Sequence, residues 1–307
     1  MRVFITGAIG FVGGWLQREF ALAGHDVIAA PGPDVLDIAD QPGVRRAVRD
    51  ARPDAVIHLA AMAFAPDAAA DAAEAIRVNV GGTHAIVEAC RIEAPRSALL
   101  VVGSSEVYET PTSDAPLTET SPLDPRGVYG LTKLAAEALA ISSAVDGLEV
   151  AVARSFNHTG PGQRPVFAVP AFARRILEAR AAGVHEIHAG NVEVARDIGD
   201  VRDVARAYRL LVEALVVGRV RGGRRVFNVA TGRAITMRAV IDQLAAIADW
   251  PVEIVLDPEL VRVDDPRVIR GDATLLGELT GWRPEIPFPQ TLADLLADAE
   301  EEAGARA

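Results

Sequence analysis

Tyr129 and Lys133 stand four residues apart in GVYGLTKLAAE, and Lys133 is the single lysine of a chain whose 31 basic residues are otherwise all arginine. On a helix that spacing puts the phenol and the ammonium on one face, about one turn apart. A phenol ordinarily ionises near pH ~10, and an adjacent ammonium favours the phenolate, so the pair predicts a proton-exchanging tyrosine whose pKa the lysine lowers. Arginine would bring charge as a planar fork, whereas a compact ammonium fits between a tyrosine and a ribose. Ser104, Ser105 and Glu106, in GSSEVY, form a second polar group. A serine hydroxyl facing the tyrosine can orient a carbonyl or alcohol oxygen. A third signal is TGAIGFVG, with Gly7, Gly10 and Gly13 at the first junction between an apolar run and a helical pattern. Glycines there allow a tight turn and a close approach of backbone to a pyrophosphate, whose charge the helix N-terminus meets. An acid for the adenosine ribose would stand about 20 residues on. The second apolar run ends instead in AAPGPD, so the pattern fits NAD(H) and NADP(H) equally; Asp37, in VLDIAD, is the candidate for the adenine side or for a helix start.

These groups must be held by elements, and the sequence supplies them. RVFIT, HDVIAA, DAVIHLA, SALLVVG and EVAVARS are short apolar runs of the kind buried on both faces of a parallel sheet. Helical patterns alternate with them: FVGGWLQREFALAG, stopping at Gly24, then GGTHAIVEACRI and GLTKLAAEALAISSAV. Strand and helix in alternation predict an α/β fold with a doubly wound parallel sheet, whose ligands bind beyond the carboxyl ends of the strands. Ser104, Ser105 and Glu106 follow the fourth strand, Asn157 and His158 follow the fifth, and Tyr129 and Lys133 open the helix between. All can converge on one cleft. After Arg154 the rhythm changes to a Pro/Gly-rich loop, FNHTGPGQRP, a helix in VPAFARRILEARAAG, and the strand-like RVFNVA. The expected division is a dinucleotide-binding domain over 1–155 with a returning strand near 225–230, and a smaller, mainly C-terminal α/β substrate lobe over 156–224 and 231–307. The acidic, Ala-rich C-terminus is expected to fray.

With 307 residues, 50% hydrophobic and 24% charged, the composition is that of a globular protein with a large core. A net charge of −11 argues against nucleic acid as a partner, because phosphate backbones demand a basic field. Neither a signal peptide nor a membrane span is read in the sequence, and a cytoplasmic location is expected. Cys90, the one cysteine, is expected as a small buried hydrophobe. His185 and His188, in VHEIHAG, have no third ligand nearby, so no metal site is expected.

Together these segments resemble the extended short-chain dehydrogenase/reductase family over essentially the full chain. TGAIGFVG is similar to its cofactor loop, HLAA at 58–61 to its third-strand signature, NVGGT at 79–83 to the helix start that follows, and YGLTK to its Tyr-x-x-x-Lys. The resemblance implies that Ser104 is the catalytic hydroxyl, Tyr129 the acid/base and Lys133 the ribose-binding partner. It implies NADP(H) or NAD(H) contacts from Gly7, Ile9, Gly10, Phe11, Val12 and Gly13, from Asp37 and Ile38, from Leu59, Ala60 and Ala61, and from Asn79, Lys133 and Phe156. The second half, in RSFNHTGPGQRPVFAVPAFARRI, RDIGDVRDVARAY and VRVDDPRVIRGDATLLGELTGWRPEIP, resembles nucleotide-sugar members of the family. Most similar are those that reduce a GDP-linked 4-keto-6-deoxy sugar, which implies that Asn157 meets the substrate phosphates and that Arg196 and Arg262 hold the nucleotide. Glu109, where members often carry Gly, and Gly127 and Val128, where Ser-Pro is common, bear on substrate fit rather than on the chemistry.

Glu106 keeps a second mechanism open. By resemblance, nucleotide-sugar 4,6-dehydratases carry a glutamate at this place, where it serves as base at C5 of a 4-keto sugar; a 4-epimerase or a non-catalytic NAD(P)-sensing module are further alternatives. The reductase is preferred on the resemblance of residues 152–176 and 260–287. Alanine-rich faces in HAIVEACRI and KLAAEALAISSAV suggest a homodimer, which a light-scattering mass near 32.4 kDa would exclude.

Overall fold

A computed structural model of the protein describes residues 1–220, 223–261 and 265–304. RVFIT forms β1 (Arg2–Thr6), and the glycine loop after it feeds α1 (Phe11–Leu22), which ends at Gly24 with φ +79°, a left-handed conformation that glycine adopts without strain. β2 (Asp26–Ala29), α2 (Gln41–Ala51) and β3 (Ala55–His58) follow, the last buried at all four residues. α3 (Ala65–Ala70) and α4 (Ala72–Ala75) lead through a π-helical segment, Ile76–Gly81, into α5 (Gly82–Glu93). The helix expected to start at NVGGT is therefore already running there, and Asn79 sits inside the π segment rather than at a helix start. β4 (Ala98–Val102), α6 (Gly127–Ser142) and β5 (Glu149–Ser155) complete the alternation.

The chain then forms β6 (Asn157–Thr159), α7 (Ala168–Ala182), β7 (Glu186–Ala189), β8 (Ala195–Asp200) and α8 (Val201–Val216). β9 (Val226–Val229), β10 (Ala234–Thr236), α9 (Met237–Ile247) and β11 (Glu253–Leu256) come next. β12 (Val268–Ile269), α10 (Thr274–Thr280) and α11 (Phe288–Gly304) close it. The main sheet has the order β2-β1-β3-β4-β5-β9 with every pair parallel. Its connections change direction between β1 and β3, which opens a crevice at their carboxyl ends. A smaller sheet is built on β8, antiparallel to β10 and parallel to β12 and β6, and β7 pairs with β11.

Packing cuts across the expected division of the chain. α8 lies within 156–224, yet Val204, Ala205, Tyr208, Leu211 and Leu215 join Leu16, Phe20, Ile57 and Leu100 in the core beneath the main sheet, with Leu276 and Trp282 from the C-terminal part. The amphipathic pattern of VRDVARAY is thus satisfied by the first sheet, not by the second lobe. The second lobe has its own core, from α7, α9 and α11. Its last member, α11, runs to Gly304 and buries Thr291 and the apolar stripe of Leu292, Leu295 and Leu296, and the end of the acidic tail, 305–307, lies outside the described residues. Cys90 is buried, and burial pushes its thiol up to about 12. Among the described residues no helix is long and apolar enough to cross a membrane.

Candidate active site

The glycine loop lies against the end of β3. Gly7 has φ +69°, and a Cβ there would stand 2.8 Å from the Ala60 nitrogen. A Cβ on Gly13 would fall within 2.6 Å of the Ala8 carbonyl oxygen and closer still to that of Gly7. These two glycines permit the close turn and the close seating of α1, whose N-terminus, capped at Gly10 by no side chain, leaves amides turned toward the crevice. That open helix end fits a dinucleotide phosphate. Ile9 is 73% exposed, Phe11 and Val12 are half-buried, and Leu59, Ala60 and Ala61 line the opposite wall, half-buried.

Asp37 is not at a helix start. It accepts a hydrogen bond from the Ala39 amide and pairs with Arg77 at 2.6 Å; that amide first, then the Arg77 guanidinium, lowers its carboxyl below the ordinary range. Ile38 is half-buried beside α5, where a Cβ on Gly82 would meet it at 2.8 Å. Asn79 is buried with its amide committed to protein partners: it accepts from the Met62 amide at 2.7 Å and donates to the Thr132 hydroxyl at 2.9 Å. It therefore ties the loop after β3 to α6 next to Tyr129. Phe156 is packed with Val107, Tyr108, Leu117 and Ala230, so its side chain is core.

β4 delivers Ser104, and α6 delivers Tyr129 and Lys133. Gly130 lets the helix approach: a Cβ there would stand 2.5 Å from the Glu106 carbonyl oxygen. Ser104 is buried, and its oxygen accepts from the Glu106 amide at 3.1 Å. Ser105 is half-buried and Glu106 exposed. Lys133 is only 7% exposed and donates to the Val102 carbonyl at 2.6 Å; burial brings its ammonium down to about 8. His58, buried beside it, is brought down to about 3 by burial and then by the Lys133 charge, and is a neutral imidazole hydrogen-bonded to the Thr6 hydroxyl at 2.8 Å.

Tyr129 corrects an expectation. Its phenol is raised, not lowered: burial is the main cause, the Glu106 carboxylate adds to it, and a hydrogen bond from Ser104 opposes both. The lysine is drawn to a backbone carbonyl, so the charge that Tyr129 feels is the glutamate's. A raised phenol holds its proton at neutral pH, which suits a proton donor.

In the second lobe, Asn157 is exposed at the start of β6. Arg196 is 9% exposed; it donates to the Ala195 and Pro266 carbonyls at 2.8 Å each and forms an ion pair with Asp265. Arg262 lies outside the described residues. His185 stacks on Trp250 with ring centres 4.3 Å apart and hydrogen-bonds to the Pro251 carbonyl, which is packing. Among the described residues no cluster could hold a metal ion.

A buried polar network beneath the site was missed at the sequence level. Arg154 binds Glu137 at 2.5 and 2.9 Å and lies 4.8 Å from the Tyr108 ring centre. Tyr108 donates to Asn228 at 2.6 Å, and Asn228 donates to the Leu117 and Asp272 carbonyls. It fixes the segment after Glu106 against β9. The readable signal was an asparagine inside the apolar run RVFNVA, which needs buried partners.

The profile of the NAD dependent epimerase/dehydratase family matches residues 3–230. The chain is 35% identical to a GDP-6-deoxy-D-mannose reductase of Pseudomonas aeruginosa, over 97% of both chains. It is 30% identical to a dTDP-glucose 4,6-dehydratase of Streptomyces griseus, over 96% of this chain and 93% of that one. A solved structure of RMD from Pseudomonas aeruginosa complexed with NADPH superposes with a TM-score of 0.88 at 35% identity, covering 98% of this chain and 99% of that one.

Proposed function

This chain belongs to the NAD dependent epimerase/dehydratase family, and from that premise we propose that it reduces the C4 ketone of a GDP-linked 4-keto-6-deoxyhexose, as a homodimer packed through α5 and α6. The observation that carries the reading is the phenol of Tyr129, kept protonated by burial and by Glu106 and hydrogen-bonded to the Ser104 hydroxyl. When bound, NAD(P)H supplies the hydride to C4. Ser104 donates a hydrogen bond to the C4 oxygen and orients the ketone; Tyr129 gives that oxygen the proton that completes the alcohol. Lys133, anchored on the Val102 carbonyl, holds the ribose edge. Asn157, at the mouth of the second lobe, meets the diphosphate, and Arg196 braces the nucleotide side from its pair with Asp265. The sequence likeness to a GDP-6-deoxy-D-mannose reductase supports the GDP sugar over other nucleotides.

The test is coenzyme consumption with GDP-4-keto-6-deoxymannose. Wild type should oxidise NAD(P)H in step with ketone loss, and Tyr129→Phe should lower the rate by ~10²–10⁴-fold, the range for a lost general acid, while coenzyme affinity is retained. Exposed Glu106 favours one rival, a 4,6-dehydratase. Conversion of GDP-mannose to its 4-keto product with no net coenzyme turnover would sink the reductase in its favour.

A further inference from the structure

The proposed reaction requires the sugar nucleotide to be held at a fixed position relative to the dinucleotide, and the loop over residues 156–163 is where the two binding regions touch. Trp15, about one turn into α1, donates its indole N–H to the Pro161 carbonyl at 3.0 Å. Phe11, at the start of the same helix, stacks on His158 with ring centres 6.3 Å apart and planes 10° from parallel. From the other side, Asp298 on α11 accepts the Gly162 amide at 2.7 Å. Arg202 on α8 pairs with Asp200 and Asp294 at 2.7 Å each and lies over the Trp15 ring, with Arg18 on it as well. Asn157–Thr159 are held by pairing with β8, and Gln163 donates back to the His158 carbonyl, so the turn between them, with Gly160 and Gly162 at φ +156° and +85°, is the part that leans on α1 and α11.

We propose that Trp15 is a positioning residue for the nucleotide sugar. By holding Pro161 it fixes the turn that follows Asn157 and β6, so the helix that opens at the dinucleotide phosphates joins β8 in setting where the sugar diphosphate lies. A tryptophan suits the task because one flat body packs against the arginines while its single N–H fixes one carbonyl. The inference rests on the reductase reading for its substrate and is tested separately from it.

Trp15→Phe keeps the ring between Arg18 and Arg202 and removes only the N–H donor. The expected result is a KM for GDP-4-keto-6-deoxymannose raised roughly 3- to 10-fold, the range for one lost hydrogen bond, with kcat, the KM for NAD(P)H and the thermal midpoint unchanged. Asp298→Ala, which frees Gly162 on the opposite side, should raise the same KM. An unchanged sugar KM in Trp15→Phe overturns the proposal, as does an equal rise in the KM for NAD(P)H, which would make Trp15 a support of the dinucleotide loop alone. If wild type does not turn over this sugar, the reductase reading fails by itself and the comparison moves to calorimetric titration with GDP. Weaker binding by Trp15→Phe then supports the role, and equal affinity overturns it.

Discussion

Lys133 and Arg196 are both buried, one in each half of the molecule, and they are held by opposite means. Lys133 rests on the carbonyl of Val102, at the end of a neighbouring strand, and among the described residues it has no ion pair with a carboxylate. Arg196 is bonded to Asp265, 69 residues further on, and to the Pro266 carbonyl. A cation against a carbonyl keeps its charge for a ligand, and burial makes its pKa easy to move; one against a carboxylate is largely neutralised, and a phosphate must compete for it. The Lys133 charge is thus fixed by backbone geometry, whereas Arg196 is held in a side-chain pair that reaches across the loops of the second lobe. Asp197 is the extreme case. It accepts from Thr231 through both amide and hydroxyl, and from the Gly232 and Gly271 amides, gathering the segments after β9 and β12 onto β8.

The contrast can be broken by substitution. The largest effect is expected from Gly13→Ala, whose methyl would meet backbone that cannot give; an unfolding free energy lower by ~3 kcal/mol, with dinucleotide binding lost alongside, would be read by denaturant titration and NAD(P)H fluorescence. A soluble variant with normal coenzyme affinity would show that the first half is not set by backbone fit. Next comes Asp197→Ala, which leaves buried amides unmet: ~2 kcal/mol of stability and a higher KM for the sugar nucleotide, with NAD(P)H affinity preserved. Loss of coenzyme binding as well would erase the distinction between the regions. The smallest is Glu106→Gln. Glu106 raises the phenol's pKa, so removing the carboxylate should let Tyr129 ionise at lower pH, read as the tyrosinate absorbance lost in the corresponding Tyr129→Phe variants. A phenolate transition at an unmoved pH would refute the electrostatic link.

How far the sequence could be read depended on how local the cause was. The alternation of apolar runs and helical patterns was enough to predict the parallel sheet, because burial on both faces leaves a continuous signature in each strand. Tyr129 and Lys133 share a face because 3.6 residues make a turn, and Gly7 and Gly13 stand where the turn demands them. The partners of those groups were out of reach. That Lys133 would find Val102, that Arg196 would find Asp265, and that α8 would leave the second lobe for the first core depend on segments far apart in the chain, and no periodicity encodes them.

The sequence by itself determined the elements, their order, and which residue types stand at the strand ends, since each follows from propensity and spacing within a dozen residues. Tertiary structure alone decided the electrostatics. Whether Tyr129 is driven up or down depends on which charge lies within a few ångströms and how much water is excluded, and neither quantity exists until the chain has folded.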